Sequence, residues 1–435
     1  MLLPCSEVNR LNMQREQRYR RSLALQKAGQ RQAAIAELRG LASEAMDSPA
    51  LLAQLIRALV AESQSIEAEQ WAERGVSAWP LDGNLQLLLA KLRWQRGDPH
   101  FAAELERAIA SCPDQLQLRL VAANLWRNAG EAERALSLAM EGMRFTHAEP
   151  ALLTSIGLLL EDLGRSAEAL SYLSQAVAYA PTPRFRTNLI PTLLRVRKAD
   201  EAQRIVSDLL TEAPADPQLI AYQALIHRQL GHRSAYRELY DYERLVRTYP
   251  LHTDSIECAR FNRAFARELL QLHRSKQHPI DQSLRGGTQT DRHLPLQDAT
   301  VAEFFRLIDP AIRDYIATLN HGHHIFDRRR LTGYRVTGSW SVALQSGGFH
   351  LNHIHPQGWI SSAYYVQVPE LPDEPGAGWL KFGEPGIQLD GMQPDHFVKP
   401  MAGLLVLFPS YMWHGTVPFT DQRLRLTAAF DIVPI

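Results

Sequence analysis

The sequence predicts a multidomain α + β protein: an N-terminal α-solenoid of helix pairs, followed by a C-terminal double-stranded β-helix (jelly-roll) domain with flanking helices. Three observations carry this. Glycines and prolines recur every 33 to 36 residues, or twice that, through the first half of the chain. The apolar period changes from helical to alternating near Tyr334. A chain of 435 residues also exceeds what one ordinary core accommodates. The expected division is 1–250 for the solenoid and 251–435 for the second domain, with a helical lead-in over 251–333 and the β core over 334–435.

Within the solenoid, Gly97, Gly130, Gly164 and Gly231 stand 33, 34 and 67 residues apart. Pro80, Pro113, Pro181, Pro214 and Pro250 interlock with them at intervals of 33, 68, 33 and 36. Ala102, Ala135 and Ala169 each follow a glycine by five positions. The glycine ends the first helix of a pair, the small residues let the two helices approach, and the proline starts the turn into the next unit. Copies around Gly29, Ser63 and Arg197–Lys198 are degenerate, and the ~34-residue period gives roughly six or seven units. Residues 20–250 resemble tetratricopeptide repeats in period and in these positions. The resemblance implies a superhelix whose concave face holds an extended peptide or protein partner. A scaffold that only orients the second domain is the plainer alternative.

Past residue 250 a helical pattern runs over Ser255–His273 and breaks at Pro279. Gly286–Thr290 reads as a small polar loop near a site. A second helix is expected over Thr300–Leu319, with His321, His323 and His324 as a polar turn after it. Short alternating segments follow at Trp340–Leu344, Ile360–Val368, Trp379–Phe382, Leu404–Phe408 and Leu424–Ile432, which is all-β grammar.

Composition excludes several classes. Lys+Arg and Asp+Glu are 47 each, so no whole-chain field draws nucleic acid. The arginines at 10, 15, 18, 20 and 21 read as a solvated helix face interleaved with Glu7 and Glu16. Three scattered cysteines form neither a disulfide framework nor a zinc spacing. No run of eighteen apolar residues is present, so a membrane span is not expected and a cytoplasmic location is.

The chemistry-bearing feature is a close imidazole pair, His353 and His355, entering one strand, with a distant His414 and, eleven residues on, Arg425. Three ligands on one face of a metal leave positions open for a co-substrate and dioxygen. An arginine beside them can clamp a carboxylate in bidentate fashion. Residues i and i+2 of an extended chain point the same way, so His353 and His355 can reach one ion, whereas His350 is out of step.

From roughly Phe261 onward the chain resembles the iron(II)/2-oxoglutarate-dependent oxygenases, in particular a group that attaches this domain to tetratricopeptide repeats. The resemblance rests on Ser283-Leu-Arg-Gly-Gly-Thr-Gln-Thr290, Gly338-Ser-Trp-Ser341, the run from Gly347 to Tyr365, Gly378-Trp-Leu-Lys-Phe-Gly-Glu-Pro385, Leu407–Thr416 and Arg425-Leu-Thr427. It implies Fe(2+) held by His353, His355 and His414, with 2-oxoglutarate as co-substrate and ascorbate as an auxiliary reductant where one is needed. In the wider superfamily the proximal pair is His-x-Asp, so His355 departs from the pattern. Either it ligates in place of the carboxylate, or two histidines and water hold the metal, as in the aspartyl/asparaginyl hydroxylases. Arg425 and Thr427 are implied to hold the far carboxylate of 2-oxoglutarate, with Tyr364 donating to it and Arg423 as the fallback cation. Asn352, His350, Trp340, Arg285 and Gln289 are implied around the ligands or the substrate. The implied activity is a dioxygenase hydroxylating a peptide or protein side chain presented by the repeats. Alternatives are a small-molecule oxygenase of a biosynthetic pathway, a non-enzymatic interaction protein with a degenerate domain, and a three-histidine zinc hydrolase.

Overall fold

Seven positions spaced 33 or 34 residues apart adopt a left-handed backbone: Gly29, Ser63, Gly97, Gly130, Gly164, Arg197 and Gly231, with φ between 56° and 88°. They mark the ends of successive helices in a computed structural model that describes residues 5–45, 48–146, 149–290, 293–319 and 333–435. Ser63 and Arg197 occupy the glycine slot of their repeats at a backbone cost of about 1–2 kcal/mol each. The residues at 321, 323 and 324 lie outside the described part.

The chain forms two compact units, Met1–Phe145 and Thr146–Ile435. The first is a run of helices from Cys5–Lys27 to Ala132–Gly142, packed through Leu38, Leu52, Leu55, Ile56, Ala72 and Leu85. Here the repeat prolines have a second role. Buried Gln86 donates to the Pro80 carbonyl at 2.8 Å, and Arg119, 33 positions later, donates to the Pro113 carbonyl at 2.7 Å. Each proline turn is thereby tied to the helix it precedes.

The second unit opens with further helix pairs, beginning Pro150–Asp162 and Ser166–Tyr179. Gly157 lets these two meet, since a Cβ there would lie 2.6 Å from Leu173 Cγ. The pairs continue to Arg233–Leu239 and give way to strands β1 (Arg247–Pro250), β2 (Leu284–Gln289), β3 (Tyr334–His350), β4 (Ile360–Gln367), β5 (Leu380–Phe382), β6 (His396–Val398), β7 (Leu404–Pro409), β8 (His414–Thr416) and β9 (Arg425–Pro434). A six-stranded antiparallel sheet has the order β1-β7-β4-β9-β3-β2, and a three-stranded sheet has the order β6-β5-β8. These two sheets are the jelly roll. Helices Ser255–Leu272 and Ala299–Leu319 cover the large sheet, with Phe265 and Phe304 against Tyr364 and Phe304 against Phe430.

Four strands, β1, β2, β6 and β8, lie outside the segments expected from the sequence, and two of them have a clear physical reason. The glycine-rich segment is β2 rather than a loop, because its lack of side chains permits close pairing. A Cβ at Gly286 would lie 2.9 Å from Gly348 Cα of β3. Strand β1, from residues assigned on sequence to the end of the solenoid, pairs with β7 at the sheet edge, where its Pro250 is tolerated. One core runs without a break from Leu173 through Leu194, Leu225 and Leu245 to Phe408 and Ile432. The Tyr240 hydroxyl donates to the Tyr411 carbonyl at 3.2 Å and accepts from the Trp413 N–H at 3.0 Å, while the Tyr411 hydroxyl donates to the Leu239 carbonyl at 2.7 Å. Arg228 donates to the carbonyls of Gly383 and Gln393 at 2.8 and 2.7 Å. The last helix pairs therefore share their interior with the β domain.

Candidate metal centre

His353 lies between β3 and β4, and His414 opens β8. An antiparallel bridge joins them: each backbone N–H donates to the other's carbonyl, at 2.9 and 3.0 Å. The His355 N–H donates to the Ser410 carbonyl at 2.9 Å. These bonds hold the His353–His355 segment extended along the turn before β8, and the i, i+2 rule then aims both imidazoles at His414. Ring centroids lie 5.0 Å apart for His353 and His355, 4.3 Å for His353 and His414, and 5.1 Å for His355 and His414.

The hydrogen bonds on the far side of each ring fix which nitrogen faces inward. His353 Nδ1 donates to the Leu351 carbonyl at 2.7 Å and His414 Nδ1 to the Met412 carbonyl at 2.9 Å. A carbonyl can only accept, so both Nδ1 atoms carry the proton and both Nε2 atoms present lone pairs. His355 Nδ1 faces the Asp431 carboxylate, 2.9 Å from Oδ1 and 2.8 Å from Oδ2. One ligand atom from each histidine lies within 4.8 Å of the other two. The Nε2 atoms of His353 and His355 are 3.1 Å apart. Two lone pairs at that distance repel unless a cation sits between them, and adjacent ligands each about 2.1 Å from a shared ion would be about 3 Å apart. The donor set fits a divalent metal.

Burial makes protonation of His350, His353 and His414 costly. It holds the His353 imidazole down at about 3, helped by neighbouring His355, and takes His350 and His414 well below the usual imidazole range. Neutral imidazole is the form that binds metal.

The three rings open onto a cavity of about 480 Å³, mouth included, whose walls include Trp340, Val342, His350, Arg425 and Thr427. Alternation along β9 puts Arg425, Thr427 and Ala429 on the cavity side and Leu426, Ala428 and Phe430 in the helix-covered core. Arg425 is 3 % exposed, its Nε has no hydrogen-bond partner, and its guanidinium carbon lies 5.1 Å from the Tyr365 ring centroid. No carboxylate among the described residues pairs with it. A buried guanidinium without an anion is costly unless a ligand supplies one. The cavity thus offers a cation site and an anion site side by side.

The remaining expected residues divide. Trp340 stacks on His355 with centroids 5.6 Å apart, and His350 lines the cavity with Ser283 Oγ 3.1 Å from its Nδ1. Tyr364 does not reach the cavity. Strand parity turns it to the opposite face of β4, where its hydroxyl donates to Asn262 Oδ1 at 2.7 Å, and Tyr365 is the tyrosine that meets Arg425. Asn352 bonds no imidazole; it donates to the Pro385 carbonyl at 3.3 Å. Arg285 donates to the carbonyls of Gln282 and Leu284, and Gln289, opposite Val342 in register, lies outside the cavity wall. Arg423 is a surface cation paired with Asp421 and Glu370. Sequence reasoning missed Asp431, Ser283 and Tyr365. Ser283 and Tyr365 stood inside the motifs that carry the resemblance, and Asp431 stood outside all of them.

Residues 338–431 match the model of the family described as "Putative 2OG-Fe(II) oxygenase", which places an oxygenase domain of that kind at the C-terminus. Among solved structures, this chain is similar to a Pseudomonas putida prolyl-4-hydroxylase at 19% identity, covering 45% of this chain and 96% of that one, with a TM-score of 0.32. It is similar to a viral collagen prolyl hydroxylase from Paramecium Bursaria Chlorella virus-1 at 15% identity, covering 44% and 97%, with a TM-score of 0.30. It is also similar to a tetratricopeptide repeat protein from Parabacteroides merdae at 12% identity, covering 52% and 91%, with a TM-score of 0.40. No curated protein matches it. No helix among the described residues is long and apolar enough to cross a membrane.

Proposed function

We propose, from the oxygenase domain that closes the chain, that this protein is an iron(II)- and 2-oxoglutarate-dependent dioxygenase hydroxylating a peptide or protein side chain. The observation that carries the reading is the anion-free Arg425 guanidinium buried in the same cavity as three convergent Nε2 lone pairs. A metal site alone would not call for it, and a zinc hydrolase gives it no work. A dicarboxylate that reaches from metal to arginine does.

His353, His355 and His414 would hold the ion, each ring kept in its binding tautomer by the acceptor behind it. Arg425 and Thr427, two residues apart on one face of β9, would hold the distal carboxylate. When bound, iron and 2-oxoglutarate would supply activation of dioxygen, one oxygen atom going into the succinate left as 2-oxoglutarate loses carbon dioxide and the other into the hydroxylated C–H bond. Trp340, stacked on His355, walls the cavity and limits water beside the metal ligands. The helical repeats motivate a peptide substrate, because such arrays present extended chains along a concave face.

The test is incubation of the full chain with Fe²⁺, ascorbate and 2-oxoglutarate, with and without candidate peptides, and assay of succinate. Succinate formation that requires iron and is lost in His414→Ala is expected. Absence of any succinate, uncoupled turnover included, would overturn the proposal.

A further inference from the structure

We infer that Asp431 is a positioning residue that locks His355 and returns to the site the negative charge that a His-x-Asp pair would place on the metal. This rests on the proposed iron site and concerns a residue on β9, the strand after the one His414 opens, 76 positions from His355. Of the three imidazoles, two are backed by neutral carbonyls, Leu351 and Met412, whereas His355 alone is backed by a carboxylate. That histidine stands where the wider superfamily has its acid. The charge has moved one residue outward rather than disappeared.

The surroundings of Asp431 are built for this. Oδ1 accepts from the Ser361 hydroxyl at 2.8 Å, and Ser361 Oγ lies 2.8 Å from Ser410 Oγ. Ser410 in turn accepts the His355 backbone N–H through its carbonyl, so both ends of His355 are fixed by one network. Gly358 makes room for it, since a Cβ there would lie 2.5 Å from Ser410 Oγ. Among the described residues no lysine or arginine pairs with Asp431; its one ion-pair partner is His355. A mostly buried carboxylate whose donors are one imidazole and one hydroxyl gains its electrostatic return through the ring, from a cation on Nε2.

Asp431→Asn preserves shape and an acceptor for the Nδ1 proton while deleting the charge. In the full chain, anaerobic Fe²⁺ titration against a chromophoric chelator should show about 10- to 100-fold weaker binding for D431N. The Fe³⁺/Fe²⁺ potential of the loaded protein, read by spectroelectrochemistry, should rise, because a less electron-rich ligand set disfavours the ferric state. A merely structural role would move neither quantity in a variant whose circular dichroism is unchanged. Affinity within about twofold of wild type with an unshifted potential would overturn the inference while leaving the iron site standing. Should D431N not fold, Ser361→Ala carries the test with a smaller loss of the same sign expected, and unchanged affinity there overturns it. If the wild-type chain itself takes up no Fe²⁺, the proposed function fails, and this inference with it.

Discussion

Replacing Arg425 by methionine separates a ligand-binding arginine from a structural one. The side chain is 3 % exposed and meets no carboxylate among the described residues, so in the ligand-free protein it bears a desolvation cost without an ion pair. Methionine has similar length and removes that cost, so the thermal midpoint of ligand-free R425M should match or exceed wild type. Ligand binding should move oppositely. Hydrogen bonds to charged partners contribute about 1.5–3 kcal/mol each, and a two-bond clamp on the 2-oxoglutarate carboxylate gives roughly 3–6 kcal/mol. At 1.4 kcal/mol per decade, affinity should fall by about 10²- to 10⁴-fold. Calorimetric titration of 2-oxoglutarate into Mn²⁺-loaded protein measures the loss, and a calorimetric melt measures stability. A Kd within about threefold of wild type, together with a lower midpoint, would refute the reasoning and make Arg425 a packing residue.

Two further outcomes follow from the geometry. Tyr364→Phe removes the 2.7 Å bond to Asn262, so urea unfolding should show a loss of about 1 kcal/mol with 2-oxoglutarate affinity unchanged; weakened ligand binding would return Tyr364 to the cavity. His273, half-buried between Thr288 and Ser341, is held down at about 4 by desolvation, below the ordinary imidazole value of about 6.5. The unfolded chain therefore binds this proton first, and stability is complete above pH ~6.5 and falls by roughly 3 kcal/mol as pH drops toward ~4. His273→Gln should flatten that slope in acid denaturation, and an unchanged slope would refute the assignment.

Much of the fold was legible because period is a local property. The slots at Ser63 and Arg197 could be found by counting alone, although neither residue resembles glycine. That His353 and His355 turn their rings the same way was legible because i, i+2 alternation survives in any extended segment. What escaped depended on register between distant strands. Asp431 meets His355 across 76 positions, and nothing local marks it. The choice between Tyr364 and Tyr365 is a matter of parity, set where β4 pairs with β9 as Tyr364↔Ala428 and Tyr365↔Thr427. Two adjacent tyrosines give no hint of which faces inward. Glycines at 286 and 287 favour a turn in isolation, and only the close approach of β3 makes them a strand.

The bonds of Tyr240 and Arg228 set where this molecule can be divided. A cut at residue 250, where the repeat pattern ends, would strip Leu225 and Leu245 from the interior and leave the Tyr411, Gly383 and Gln393 backbone groups without their donors. The compact unit that holds the candidate site is therefore 146–435, which carries three helix pairs as part of its own foundation. The helices before residue 146 can be exchanged without cutting that interior.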